Sequence, residues 1–233
     1  MGQGQDVWEH YNRHFSVVRA NTAKLLDQVY RLRYQVYCVE NSFEDSAEHL
    51  DGRETDAHDE TAEHILLFHR NSGAAVGTTR VIMPSRVTGW RPLPIQLVLA
   101  SGDRQAFDRL PVRQTAEVSR FAVSKKFRGE GYDQRLMRYI TFGLMQGIVQ
   151  TCIEYGITYI AAIMEPSLIR MLLRFGLEFE PIGEHVEYHG VRQPCVARLA
   201  DLVEGTRPTP LWKFVSIRHT FSHGAPATPL LIS

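Results

Sequence analysis

The chain is 233 residues long and 44% apolar, with 26 Lys and Arg balanced by 26 Asp and Glu. That length supports one sizeable core and is short for two full domains, and a zero net charge offers no overall attraction to nucleic acid or to an anionic membrane. There is no run of 18 apolar residues and no charged n-region followed by an apolar h-region at the N-terminus, so a cytoplasmic protein is expected; Cys38, Cys152 and Cys195, widely spaced and without a C-x-x-C pair, are expected as reduced core thiols rather than as disulfide or zinc ligands.

Residues Thr22 to Glu40 read as a helix, with Leu25, Leu26, Val29, Val36 and Tyr37 at helical spacing and Asn21 or Thr22 as cap. Arg33 falls on the same apolar face, four residues after Val29 and four before Tyr37, so its guanidinium either reaches solvent or meets carboxylates inside. Asn41 to Glu63 is dense in Asp and Glu and reads as an irregular acidic loop; His58 and His64 sit in it or at its edge, but their spacing fits no standard metal-ligand pattern. A hairpin follows, formed by the run from His64, the turn Asn71-Ser-Gly73 and the run from Ala75 to Met83. Residues 84 to 114, rich in Pro, Arg and Ser around an apolar run from Leu93 to Ala100, are predicted as an insertion or lid.

Thr115 to Ser124 reads as a strand in which Val118, Phe121, Ala122 and Val123 account for burial, whereas Glu117, Ser119 and Arg120 do not. Strict alternation puts Glu117 and Ser119 on one face and Arg120 on the other, so Glu117 and Arg120 share a face only if a bulge intervenes. The competing reading is an edge strand with a solvated face. A glycine turn over Arg128-Gly-Glu-Gly131, a long helix from about Tyr132 to Tyr155 and a strand from Ile157 to Met164 buried on both faces come next. A helix then begins at Glu165-Pro166 and stops at Phe175-Gly176, and two or three short strands, with a hairpin turn at His189-Gly190, end near Leu199. Residues 1–205 are thus expected to form one α/β domain with a mixed sheet, and residues 206–233, with four prolines, a C-terminal arm or tail.

Arg128-Gly129-Glu-Gly131, between a strand and a helix, resembles the Arg-x-x-Gly-x-Gly/Ala phosphate-binding loop of the GNAT acyltransferases, although Asp133 stands where that loop ends in Gly or Ala. Arg33-Tyr-Gln-Val-Tyr37, Glu54-Thr-Asp56-Ala-His-Asp59, Gly77-Thr-Thr-Arg80 and Glu117-Val-Ser119-Arg120 resemble, in order, the four signature blocks of the acyl-homoserine-lactone synthases, a GNAT-fold branch. The tryptophan of that family has no match in 37–43, where Phe43 is the candidate stand-in. The wording of residues 33–40, of Met164-Glu-Pro166 and of Gly190-Val-Arg-Gln-Pro194 is similar to a further branch, the acyltransferases associated with the PEP-CTERM/exosortase system, which are related to long-chain N-acyl amino acid synthases.

The resemblance implies a GNAT-like, mostly antiparallel central sheet flanked by helices. It also implies an N-acyltransferase that moves a long acyl chain from acyl carrier protein to the amino group of an amino acid or similar small amine. Glu117, Ser119 and Arg120 are then the catalytic candidates; Arg33, Tyr37, Asp56, Asp59 and Arg80 form a substrate-binding network; and Arg128, Gly129, Gly131, Arg135 and Arg138 are candidates for holding the donor. The donor brings its own acyl-phosphopantetheine, or an acyl-CoA, and no metal or bound cofactor is expected. The alternatives are a CoA-dependent GNAT acetyltransferase and a non-catalytic acyl-binding regulator.

Overall fold

Apolar residues at helical spacing, with a cap supplied by the Thr22 hydroxyl, which accepts the Leu25 N–H at 3.3 Å, form helix α2 (Ala23–Tyr34). The computed structural model describes residues 7–84, 92–128, 140–188 and 190–216. Before α2 come α1 (Val7–His14) and β1 (Phe15–Arg19); after it come β2 (Ala62–His69) and β3 (Ala74–Ile82), the predicted hairpin. Then follow α3 (Pro94–Val98), α4 (Ser101–Phe107), β4 (Thr115–Val123), α5 (Ile140–Glu154), β5 (Tyr159–Met164) and α6 (Pro166–Leu173). The chain continues through β6 (Glu180–Pro181), β7 (Val186–Glu187), β8 (Val191–Arg198), α7 (Leu199–Gly205) and α8 (Trp212–Val215).

The strands form an open sheet in the order β1-β2-β3-β4-β5-β8-β6, with β7 paired to β8. Every pairing is antiparallel except β4 with β5. This is the mixed, mostly antiparallel sheet expected from the sequence. One side of it, lined by Val17, Ile65, Leu67, Val81 and Ala116, carries α5, α7 and α8. The other side carries α2 against Val18, Leu66 and Phe68, and α3 and α4 against Ile82 and Ala161.

The single parallel pairing is short. Thr115, Ala116 and Glu117 face Tyr159, Ile160 and Ala161, and beyond Glu117 the two strands have no further partner in each other. β4 stays with β3 to Val123, and β5 stays with β8 to Met164. The sheet is therefore split along the ends of β4 and β5, and the split exposes backbone and side chains in its interior.

Two departures from regular geometry set the surroundings of that split. The helix read over Thr22–Glu40 is α-helical only to Tyr34; Gln35–Glu40 is a π-turn, whose wider spacing of i to i+5 admits an extra residue before Tyr37, Cys38 and Val39. Glu40 fastens this turn to the end of β4, accepting the Ser124 hydroxyl at 2.7 Å and the Lys125 N–H at 2.8 Å. In β4 the register to β3 shifts between Arg80 opposite Ser119 and Thr78 opposite Ala122, so two β4 residues, Arg120 and Phe121, face one residue, Thr79. Arg120 occupies the left-handed region (φ 50°), the conformation such a bulge requires and one that costs a non-glycine residue on the order of 1–3 kcal/mol.

In its described part the segment 84–114 packs onto the sheet: its apolar run forms α3, α4 follows it, Leu93, Ile95, Leu99 and Phe107 are buried with Ile82 and Ala161, and the first turn of α3 lies over Glu117. The proline-rich end likewise begins as packed structure: Leu211, Phe214 and Val215 are buried, and the Phe214 ring meets Phe142 edge-on at 5.4 Å and Tyr11 at 4.9 Å. Residues 217–233 lie outside the described residues.

The end of α6 and the end of α7 touch backbone to backbone. Gly176 has φ 75°, and a Cβ there would lie 1.9 Å from the carbonyl oxygen of Gly205; a Cβ on Gly205 would lie 2.1 Å from that of Gly176. Neither obstacle is a side chain that can turn away, so Gly205→Ala is expected to lower the melting temperature by about 5 °C or more, measured by circular dichroism. An unchanged melting temperature would show that the two helix ends separate freely.

Candidate active site

Arg33 has no exposed surface, and its charge is answered on two sides. Nε donates to Glu54 Oε2 at 2.5 Å and Nη1 to Asp59 Oδ1 at 2.6 Å. Arg80, on β3 and equally buried, shares Asp59 through Nη1 at 2.7 Å, donates to Asp56 Oδ1 at 2.5 Å, and uses Nε to reach the Ser119 hydroxyl at 3.0 Å. Arg120 donates from Nε to Glu54 at 3.1 Å and from Nη2 to Glu44 at 3.1 Å, with Asp56 at 3.3 Å. Its guanidinium also lies over the Tyr37 ring, 5.5 Å from the centroid.

Three arginines thus meet four carboxylates in one continuous network that ties α2 and the acidic loop to β3 and β4. Burial alone would push the carboxyls of Glu54, Asp56 and Asp59 upward. The guanidinium charges and hydrogen bonds outweigh it and hold all three below the ordinary carboxylate range: Arg33 and Arg120 on Glu54, Arg80 and Arg120 on Asp56, Arg33 and Arg80 on Asp59. Arg120 takes part because of the bulge. Without the extra residue it would point to the α5 side; with it, Arg120 joins Ser119 on the side of Arg80.

Glu117 stands apart from this network. Its side chain is 2% exposed and its carboxyl accepts only the Ile95 N–H of α3, at 2.8 Å, among the described residues. Burial raises it to about 8, with the Ile95 N–H and the Arg80 charge offsetting only part of the cost. At neutral pH it is mostly protonated, poised to titrate near the working range rather than fixed as a charge. The reason is geometric: the first turn of α3 covers Glu117, while the arginine side chains point toward the acidic loop.

These groups line one cavity of about 300 Å³. Arg80, Arg120, Tyr37, Phe43 and Glu44 form it on the α2 side; Glu117, Val118 and Ser119 from β4 and Ala162, Ile163 and Met164 from β5 form the walls of the split; Met145, Ile148 and Val149 from α5 line it on the opposite side. The cavity therefore crosses the sheet where β4 and β5 part. It is polar around Arg80, Arg120, Glu44 and Glu117, has a second polar group at Glu165, Tyr188 and Arg192, and is otherwise apolar, an arrangement suited to a ligand with a reactive head and a hydrocarbon tail.

The structure brings Glu117, Ser119, Arg120, Arg80 and Tyr37 to this cavity and places Arg33, Asp56 and Asp59 behind it as the partners that orient Arg80 and Arg120. Phe43 stands beside Tyr37, ring centroids 6.3 Å apart. Glu44 and Glu54 were not singled out from the sequence as site residues, since in a loop dense in acids nothing local separates the inward carboxylates from the solvated ones. Gly129, Gly131, Arg135 and Arg138 lie outside the described residues, as does the Arg128 side chain; the Arg128 backbone closes a short turn after β4. Cys38 is a buried thiol raised by burial and by Glu54 and Glu44, unsuited to act as a nucleophile. His64 is a core histidine lowered to about 4 by burial, and no cluster of three metal-ligating side chains occurs among the described residues.

A family model for the acetyltransferase (GNAT) domain matches residues 32–138, a stretch that contains all of these site residues up to the turn after β4. Among solved structures, the chain is similar to the CoA-dependent acyl-homoserine lactone synthase BjaI in its structure with SAM and isopentyl-CoA (18% identity, 91% of this chain and 94% of that chain, TM-score 0.60). It is similar to TofI in a ternary complex with an inhibitor and MTA (19%, 84% and 98%, 0.58). It is also similar to FeeM, an N-acyl amino acid synthase from uncultured soil microbes (17%, 82% and 94%, 0.57). At these identities the likeness is one of fold. No curated protein sequence matches the chain.

Removing Arg33 leaves Glu54 and Asp59 buried with one guanidinium fewer each, so Arg33→Ala should cost about 3–5 kcal/mol, or roughly 10 °C in melting temperature. A change under about 2 °C would show that water reaches the network. Because the folded carboxyls of Glu54, Asp56 and Asp59 titrate below their unfolded values, their contribution is complete above that unfolded range and is lost as pH falls; melting temperatures should therefore drop below about pH 4, and Asp59→Asn should flatten that limb.

Proposed function

We propose that this GNAT-fold protein is an N-acyltransferase that moves a long acyl group from a phosphopantetheine thioester to the amino group of an amino acid or similar small amine. The observation that carries the reading is the cavity that crosses the sheet, with a titratable carboxyl and an arginine–carboxylate network at one end and an apolar channel at the other. A thioester lying in the split between β4 and β5 has its hydrocarbon on the α5 side and its carbonyl beside the bulge at Arg120. The extra residue of a bulge is left out of the strand ladder, so backbone N–H groups there are available to a developing oxyanion.

The acceptor enters from the Tyr37–Phe43–Glu44 side, where the Glu44 carboxyl lines the cavity and can accept hydrogen bonds from an amine. Ionised Glu117 takes a proton from the amine, directly or through water. The amine nitrogen attacks the thioester carbonyl, the C–N bond forms, the C–S bond breaks, and the departing thiolate receives a proton. Ser119, held by Arg80 Nε, orients the acceptor, and Arg33 and Asp59 fix Arg80 in turn. Holding both substrates in one cavity supplies much of the acceleration.

Acyl carrier protein is the donor in this reading, and the branch associated with the PEP-CTERM/exosortase system is a functional analogy suggested by the sequence motifs. BjaI, with isopentyl-CoA, supports acyl-CoA as the second donor to assay. An acetyl group would leave most of the apolar channel empty, which disfavours the acetyltransferase alternative.

Glu117→Gln is expected to lower kcat/KM by roughly 100-fold, and the wild-type rate should rise with pH through about 8 while the variant's does not. Equal turnover in wild type and variant would remove Glu117 from the mechanism. Stability should move the other way. The raised folded value makes the wild type lose stability as pH rises from about 4.5 to about 8, so the melting temperature of Glu117→Gln should gain on the wild type across that interval.

A further inference from the structure

We infer that the C-terminal segment Leu199–Val215 sets the length of acyl chain that fits, with Leu202, Val203 and Val215 as the end wall of the channel; this rests on the acyltransferase reading. These three side chains line the same cavity as Arg80 and Glu117 but belong to the layer on the opposite side of the sheet. A chain whose thioester lies at Glu117 and Ser119 therefore runs past Val118 and Met145 and ends against α7 and α8.

The wall is packed and tied to its neighbours. Leu202 and Val215 are 5% exposed, and Val203 is half-buried, so Val203 stands between the channel and the outside. The reciprocal contact of Gly176 with Gly205 holds the end of α7 to the end of α6, and the aromatic contacts of Phe214 with Phe142, Tyr11 and Trp8 hold α8 to α5 and α1. A wall tied down at both ends measures length, whereas a loose one would yield to each added methylene. Before the wall, each buried methylene adds about fourfold in affinity; beyond it, a further methylene must displace packed side chains.

The test uses the full chain and saturated acyl thioesters from C4 to C16, offered as acyl carrier protein and as CoA derivatives, with binding of the free fatty acids of the same lengths measured by calorimetry. Val203→Phe fills the channel from a half-buried position that needs no repacking of the core, and Leu202→Ala lengthens it. Val203→Phe should reduce kcat/KM and fatty-acid affinity at least 10-fold for the longest ligands that the wild type accepts, and leave the shortest within about twofold. Leu202→Ala should move the optimum about two carbons longer; if it melts near the assay temperature, Val203→Phe decides alone. Parallel losses at every length, or unchanged profiles, would overturn the assignment. A wild type that transfers no acyl group from any donor would overturn the proposed function, while the fatty-acid binding profiles of wild type and Val203→Phe would still decide whether the wall measures length.

Discussion

The burial of Arg33 constrains everything around it. A guanidinium with no exposed surface is tolerated only if carboxylates come to it, and the two that do, Glu54 and Asp59, lie at opposite ends of the inner part of an otherwise irregular acidic loop. Each is also shared with a second arginine, Glu54 with Arg120 and Asp59 with Arg80. The loop is thereby fixed against β3 and β4 without regular secondary structure of its own, and the arginines are aimed at the mouth of the cavity. Stability and positioning come from the same hydrogen bonds, so a substitution in the network acts on both.

The contrast between Glu117 and these carboxylates is the chemical core of the site. Asp56 and Asp59 lose much of their contact with water yet stay ionised because guanidinium groups donate to them, while Glu117, fully buried, receives one backbone N–H among the described residues and is left close to neutrality at physiological pH. A carboxyl of that kind suits proton transfer, whereas a permanently paired one suits orientation. The split between β4 and β5 puts the titrating group beside an apolar channel, so the two requirements of the proposed acyl transfer, a place for the tail and a place for the amine proton, would be met at Glu117.

Much of this was legible in the chain. Arg33 falls on an apolar helix face, and the alternation of β4 lets Arg120 share a face with Glu117 only through a bulge, which the structure contains. Other features left no local trace. The π-turn at Gln35–Glu40 depends on Glu40 reaching Ser124 and Lys125, contacts made 84 and 85 residues away. Glu44 and Glu54 could not be separated from their acidic neighbours by composition. In the C-terminal segment the prolines drew the reading toward an arm, although Leu211, Phe214 and Val215 already carried the three- and four-residue spacing of a helix face.

The proposed transfer requires the cavity to receive an acyl chain and an amine together. Mass spectrometry of lipid extracts from cells expressing the protein tests this most directly, with Glu117→Gln expressed to the same level as the control. Cells with the wild type should hold a new long-chain N-acyl amino acid or N-acyl amine that is reduced at least 10-fold with the variant. Extracts free of any N-acylated product, or holding equal amounts of it with both proteins, would contradict the proposed transfer.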